Sequence, residues 1–95
     1  MSESVIIDAV RSPIGVKNGK LIGIRPDDLS AQVVRKLLER NKSIKPAQIE
    51  DFILGCAFPE GPQGMLMAKG VSILSGVPET AGGSVVNRFC GSSMD

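Results

Sequence analysis

An α/β architecture is predicted for this 95-residue chain, in the order β-loop-α-β-α-β, with three mainly parallel strands and flanking helices. Three observations predict it. Short apolar runs alternate with longer stretches whose apolar residues recur at helical spacing, the pattern of strands joined by crossover helices. The strand candidates are apolar almost throughout, as strands covered on both faces are. Glycine and proline mark the junctions between them.

Taken in order, Val5-Ile6-Ile7-Asp8-Ala9-Val10 is the first strand candidate, stopped by Arg11-Ser12-Pro13-Ile14-Gly15. A glycine-spaced loop follows through Gly19 and Gly23. Pro26-Asp27-Asp28 then opens a helix, with acidic groups at the positive end of its dipole. Leu29, Val33, Val34, Leu37 and Leu38 form its apolar stripe. Arg35, Lys36 and Arg40 lie toward its C-terminal end, and Asn41 is expected to close it in a left-handed conformation. Pro46 to Glu50 reads as one helical turn.

The second strand is expected over Phe52–Phe58, and Pro59–Gly64 is a loop. Leu66, Met67, Val71 and Leu74 place a second helix over Gln63–Leu74, ended by Gly76 and Pro78. Gly70 inside that helix is expected to mark close packing against another backbone, since glycine there costs about 1 kcal/mol relative to alanine. The third strand is expected over Ser84–Phe89. Cys90-Gly91-Ser92-Ser93-Met94-Asp95 is expected to begin another helix, so the chain is read as an incomplete domain over residues 1–95.

Composition narrows the function. The chain is 42% apolar and 22% charged, and eleven basic against ten acidic residues leave a net charge of +1. Neither a nucleic-acid nor a membrane partner is expected, because both call for clustered Lys and Arg. No apolar run approaches the roughly 18 residues of a membrane span, and the N-terminus lacks the parts of a signal peptide. A cytoplasmic location is therefore expected, with Cys56 and Cys90 as reduced thiols. Two cysteines and no histidine fall short of a zinc site, so no metal is expected. The same absence of histidine means that an imidazole base for a cysteine nucleophile cannot come from this chain.

Cys90 is the candidate catalytic residue. It lies where a buried strand ends and a run of small residues begins, so the first-turn N–H groups of a following helix would favour its thiolate. Gly91, Ser92 and Ser93 leave room for a substrate carbonyl, and the turn aims backbone N–H groups at the space above the sulfur. The competing reading is a small buried apolar residue. Cys56, inside the second strand, is read as core. Met65, Met67, Val71 and Leu74 are read as helix packing rather than an acyl-chain pocket. Gly15, Gly19 and Gly23 do not make a phosphate loop, and Arg88 is read as a structural ion-pair residue.

Val86-Asn87-Arg88-Phe89-Cys90-Gly91-Ser92-Ser93-Met94 closely resembles the nucleophile motif of thiolases, especially the bacterial 3-ketoacyl-CoA branch. Val5–Gly15, Asp28-Leu29-Ser30-Ala31, Gly55-Cys56, Glu60-Gly61 and Gln63-Gly64 match the family in the same order. Lys69, where many relatives carry Arg, and the glycine-rich Ala81-Gly82-Gly83 depart from it. The resemblance implies the N-terminal part of a thiolase-like layered fold, ending just after the nucleophile motif. It implies an acyltransferase that cleaves 3-ketoacyl-CoA, or runs the reverse Claisen condensation, in fatty-acid β-oxidation. Cys90 would hold the acyl group as a thioester, and its own backbone N–H would donate to the carbonyl oxygen.

Coenzyme A and acyl-CoA would be substrates, with no bound cofactor; coenzyme A contacts, the activating histidine and a second cysteine would lie beyond these residues. A homodimer would form through strand 84–89, which reads as an exposed sheet edge without Pro or Lys. The chain alone is expected to be inactive. Two other readings stay open. One is a non-catalytic fragment that associates through that strand; the other is a relative of the β-ketoacyl synthases, which also place a cysteine at a strand-helix turn.

Overall fold

The computed structural model describes residues 3–95. Helix α1 spans Pro26–Arg40, strand β1 Asp51–Gly55, helix α2 Met67–Leu74 and strand β2 Gly82–Val86. Three 3₁₀ turns lie at Pro46–Gln48, Gly61–Gln63 and Phe89–Met94.

Helix α1 begins and ends close to its predicted bounds because its signals are local. Pro26 at the first helical position has a φ suited to the helix and no N–H to leave unpaired. Arg25 grips Asp27 through two 3.0 Å bonds across that first turn. Asn41 ends the helix differently from expectation, at φ −119° rather than in the left-handed region. Its side-chain amide donates to the Leu37 carbonyl at 2.9 Å and to Asp8 at 2.8 Å, and its backbone N–H to the Leu38 carbonyl at 3.1 Å, so side chain and backbone share the capping. Arg35 reaches across to the Leu74 carbonyl at the end of α2, tying the two helices together.

Helix α2 is shorter than expected, starting at Met67, with a separate 3₁₀ turn over Gly61–Gln63 ahead of it. Its C-terminus is built on Gly76 at φ +89°, a conformation that favours glycine. The Gly76 N–H then reaches the Ile73 carbonyl and the Val77 N–H the Ser72 carbonyl, at 3.3 and 3.0 Å, which satisfies two last-turn acceptors. Gly70 does not pack against a backbone: a β-carbon there would meet only open space. The close approach falls instead at Gly83, whose β-carbon would lie 3.1 Å from the Lys69 backbone.

Strands β1 and β2 pair in parallel, Asp51 with Gly82 through Gly55 with Val86. Lys69 fixes the approach to β2 by donating to the Glu79 and Ala81 carbonyls at 2.5 and 2.7 Å. The core between this sheet and the helices is thin: Ala31, Met67 and Val71, with Val34, Phe52, Leu54 and Val85 packed around them.

Two strands are present among the described residues, not the three expected. Val5–Val10 joins no ladder, and Val5, Ile6 and Ile7 are largely exposed. The segment lies along the C-terminal half of α1, where Val5, Ile6 and Ile7 with Leu37, Leu38 and Ile44 line an apolar cavity of about 270 Å³. Asp8 anchors it by accepting from Asn41 and, at 3.2 Å, from Arg40. An apolar run becomes a strand only when a neighbour supplies partners for its N–H and C=O groups, and here side-chain ties to α1 take that place. The radius of gyration, 13.9 Å, exceeds the roughly 12.4 Å of a tightly packed chain of this length, consistent with an N-terminal arm outside the β-α-β unit.

Candidate active site

The parallel register brings the carboxyl ends of β1 and β2 side by side, the edge at which open α/β sheets place their sites. One further bond, from the Cys56 N–H to the Val86 carbonyl at 2.9 Å, carries the ladder one step past β1. Cys90 lies four residues beyond β2 and is exposed.

The intervening turn is shorter than expected of the strand and tighter than expected of the helix. Strand β2 stops at Val86, three residues before the expected Phe89, because the Asn87 side chain takes over. Its Oδ1 accepts the Phe89 N–H at 2.9 Å, and its Nδ2 donates to the Ala57 carbonyl at 3.1 Å. Phe89 then turns the chain at φ +47°, a left-handed geometry uncommon for a bulky residue and held only where neighbours over-determine it. Ser92 provides much of that constraint. Its hydroxyl accepts the Arg88 N–H at 2.9 Å and donates to the Phe89 carbonyl at 2.7 Å, bridging over Cys90 to the two residues before it. The Gly91 N–H closes the turn on the Arg88 carbonyl at 3.0 Å.

Three of the four consecutive N–H groups from Arg88 to Gly91 are therefore bound within the chain. The Cys90 N–H has no partner among the described residues. A free backbone donor beside an exposed thiol is what an oxyanion needs, provided the substrate carbonyl comes over the sulfur.

Two expectations about this turn require correction. The residues after Cys90 form a 3₁₀ turn, Phe89–Met94, with Cys90 as its second residue rather than the residue ahead of an α-helix. The helix-dipole argument for the thiol therefore has no α-helix to rest on. Ser92, expected to contribute only small size, is buried and structural. Gly91 keeps the expected openness, since a β-carbon there would meet nothing.

The turn is seated on β1. A β-carbon at Gly55 would fall 2.5 Å from both the Ser92 carbonyl carbon and the Ser93 nitrogen. Gly55, Asn87 and Ser92 are the residues that hold this turn, and sequence reasoning missed them. Their signal was present, in a glycine immediately before a core cysteine and polar residues flanking Cys90, but their meaning depends on contacts between distant segments.

Cys56 is buried, as expected, and accepts a long 3.6 Å contact from the Gln63 side chain. Arg88 pairs with Asp95 at 3.2 Å on the surface, in keeping with a structural role. Met65, Leu66 and Met67 line a cavity of about 320 Å³ with Arg25, Asp27 and Gly61, away from Cys90. Among the described residues no three His, Cys, Asp or Glu side chains stand together to hold a metal ion. Chemically, the arrangement offers one accessible thiol and one free N–H, and a chain without histidine brings no imidazole base to them.

Comparison with known proteins gives these features a setting. A family model described as thiolase, N-terminal domain, matches residues 4–95. A 3-ketoacyl-CoA thiolase of Shewanella denitrificans is 45% identical over 96 aligned residues, which take in 100% of this chain and 25% of that protein. One from Marinomonas sp. is 47% identical over 94 residues, covering 98% and 24% respectively. Among solved structures, the Acat5 thiolase from Ascaris suum in complex with coenzyme A superposes with a TM-score of 0.81 at 29% identity, over 90% of this chain and 22% of that one. The chain thus spans about a quarter of the length of the curated relatives it matches.

Proposed function

Because this chain belongs to the thiolase family, matching its N-terminal domain, we propose that it supplies the nucleophile of an acyltransferase and that Cys90 is that nucleophile. The observation that carries the reading is the pairing of an exposed Cys90 thiol with its own unpartnered N–H at the carboxyl edge of the sheet. Likeness to proteins named 3-ketoacyl-CoA thiolase supports 3-ketoacyl-CoA as the substrate class and β-oxidation as the setting. The Ascaris suum relative, solved in complex with coenzyme A, supports coenzyme A as the acceptor.

In the proposed reaction the Cys90 thiolate attacks the 3-keto carbon and forms a C–S bond, while the carbonyl electron pair moves to oxygen. The Cys90 N–H receives that oxygen. Collapse breaks the C2–C3 bond, and its pair leaves on C2 as the enolate of acetyl-CoA, which takes a proton from an acid. The thiolate of coenzyme A then attacks the Cys90 thioester, and the shortened acyl-CoA leaves with Cys90 restored as thiolate. Without histidine in the chain, the base that ionises Cys90 and the acid that protonates the enolate come from elsewhere in the complete enzyme.

Residues 1–95 on this reading are the N-terminal portion of the thiolase domain, in a cytoplasmic enzyme. The enzyme is a homodimer paired through the free edge of β2. The expected strand 84–89 is reduced to its first three residues, since β2 ends at Val86, and the dimer contact shortens with it. Thiolase membership favours this reading over a β-ketoacyl synthase relative.

The test is a chimera in which these 95 residues replace the matching quarter of the Shewanella denitrificans enzyme. Thiolysis of acetoacetyl-CoA is expected from the chimera and not from the isolated chain. Cys90→Ala is expected to abolish it. Turnover that survives Cys90→Ala would contradict the assignment.

A further inference from the structure

We infer that Asn87 is a positioning residue for Cys90, acting by fixing the left-handed Phe89 that leaves the Cys90 N–H free. The inference rests on the reading of Cys90 as nucleophile and adds to it a residue that does not touch substrate. Asn87 follows β2 directly and uses both ends of its amide. Oδ1 accepts the Phe89 N–H at 2.9 Å and Nδ2 donates to the Ala57 carbonyl at 3.1 Å. The neighbours settle the orientation of the amide, because reversing it would set donor against donor and acceptor against acceptor.

The consequence for Cys90 is geometric. At the end of a strand the next N–H groups would ordinarily run on toward a ladder or turn back onto preceding carbonyls. Asn87 captures the N–H of Phe89 and Ser92 that of Arg88, while Gly91 turns back to the Arg88 carbonyl. With Phe89 held at φ +47°, the Cys90 N–H is the one of these four left without a partner among the described residues. The bond to Ala57 anchors the same side chain to the segment after β1, so the turn keeps its place relative to the sheet edge. Ser92 constrains the turn from within; Asn87 is the group that ties it to a neighbouring segment.

An acyl acceptor and a plain nucleophile differ in what they ask of this geometry. Attack on an ester forms an oxyanion, whereas displacement of iodide from iodoacetamide forms none. With p-nitrophenyl acetate, the Cys90 sulfur bonds to the acetyl carbon and the carbonyl pair moves to oxygen. Collapse then expels p-nitrophenolate with the C–O pair, and the thiol proton goes to solvent. A misplaced Cys90 N–H slows acylation and leaves alkylation nearly unchanged.

The experiment measures both rates at Cys90 in the full 95-residue chain by peptide mass spectrometry, with labelling of buried Cys56 as an internal monitor of unfolding. Asn87→Ala is expected to lower the ratio of acylation to alkylation by about 10- to 100-fold, the range that small misplacements of reacting groups produce. Cys56 should stay protected. Asn87→Asp keeps the acceptor for the Phe89 N–H but loses the donor to the Ala57 carbonyl, so it is expected to lower the ratio less than Asn87→Ala does. An unchanged ratio in Asn87→Ala, with acylation still dependent on Cys90, would overturn this inference alone. So would a fall in the ratio that comes with full Cys56 labelling, which would make Asn87 merely structural. Acylation of the native chain that persists in Cys90→Ala would overturn the nucleophile reading and this inference together.

Discussion

Gly55 and Ser92 meet backbone to backbone: a β-carbon on Gly55 would lie 2.5 Å from the carbonyl carbon of Ser92. The turn carrying Cys90 therefore rests directly on β1, with no side chain between them. Real β-carbons do not approach backbone atoms so closely, so Gly55→Ala must push the turn away or bend the strand. Overpacking of this kind costs about 1–3 kcal/mol. In a domain of this size each kcal/mol is worth roughly 4–8 °C of melting temperature. A matching fall in the thermal midpoint is expected, together with a change in Cys90 reactivity. A variant as stable as the native chain would show that the contact does not hold the turn.

The two thiols should differ sharply in reactivity. Cys90 is exposed, and Cys56, the residue directly after β1, is buried with only 8% of its surface accessible. Iodoacetamide at neutral pH is expected to label Cys90 first, with Cys56 following only on unfolding. Peptide mass spectrometry after brief labelling reads the order, and circular dichroism checks that the chain is folded. Equal or reversed labelling would contradict the placement of both residues.

Asp8 makes the attachment of the N-terminal arm pH-dependent. The Asn41 amide, then the Ala9 N–H and the Arg40 charge, hold its carboxyl below the ordinary value of 3.8. A group with a lowered folded pKa stabilises fully above its unfolded value and loses that contribution as the pH falls through the folded one. The difference in urea midpoint between native chain and Asp8→Ala is therefore expected to be small but constant from pH 7 down to about 5. It should shrink as the pH falls through 3.8 and vanish only below the lowered folded value. Asp8 is near the surface, so the gap should also shrink with salt. A gap that widens on acidification would contradict the tie.

The free edge of β2 can be tested while its hydrogen-bond ladder with β1 is kept. The Gly82 N–H and the Val86 carbonyl both face β1, so alternation along the strand turns the Val85 N–H toward the open edge. Val85→Pro removes an edge donor and spares the ladder, whereas Val86→Pro breaks it. If complete enzymes of this kind pair through β2, Val85→Pro in the chimera should shift sedimentation from dimer to monomer while Cys56 stays protected. A dimer of unchanged affinity would rule out that edge.

What could be read from the sequence follows from how local each cause is. Helix α1 was legible because Pro26, Asp27, Asp28 and the Leu29–Leu38 stripe act within a few turns of one another. Gly76 was legible as a helix end for the same reason. Val5–Val10 was misread because strand formation depends on a distant partner, and β propensity alone does not supply one. Gly70 was misjudged and Gly55 passed over: the glycine inside the helix faces solvent, while the one inside the strand carries the contact. Cys90 was singled out as the candidate by its motif and its place after an apolar strand. The turn holding it joins Asn87 to Ala57 and Ser92 to Gly55 across about thirty residues or more, and no local pattern encodes such contacts.

The most direct test of the central claim is covalent: which atom of the chimera carries the acyl group during thiolysis. The chimera would be mixed with acetoacetyl-CoA, quenched in acid within its first turnovers, digested, and examined by mass spectrometry. An acetyl thioester on Cys90, removed by added coenzyme A and absent from Cys90→Ser, is the predicted result. Acetyl found on Cys56 or on a serine instead, or thiolysis proceeding with Cys90 never modified, would contradict the account.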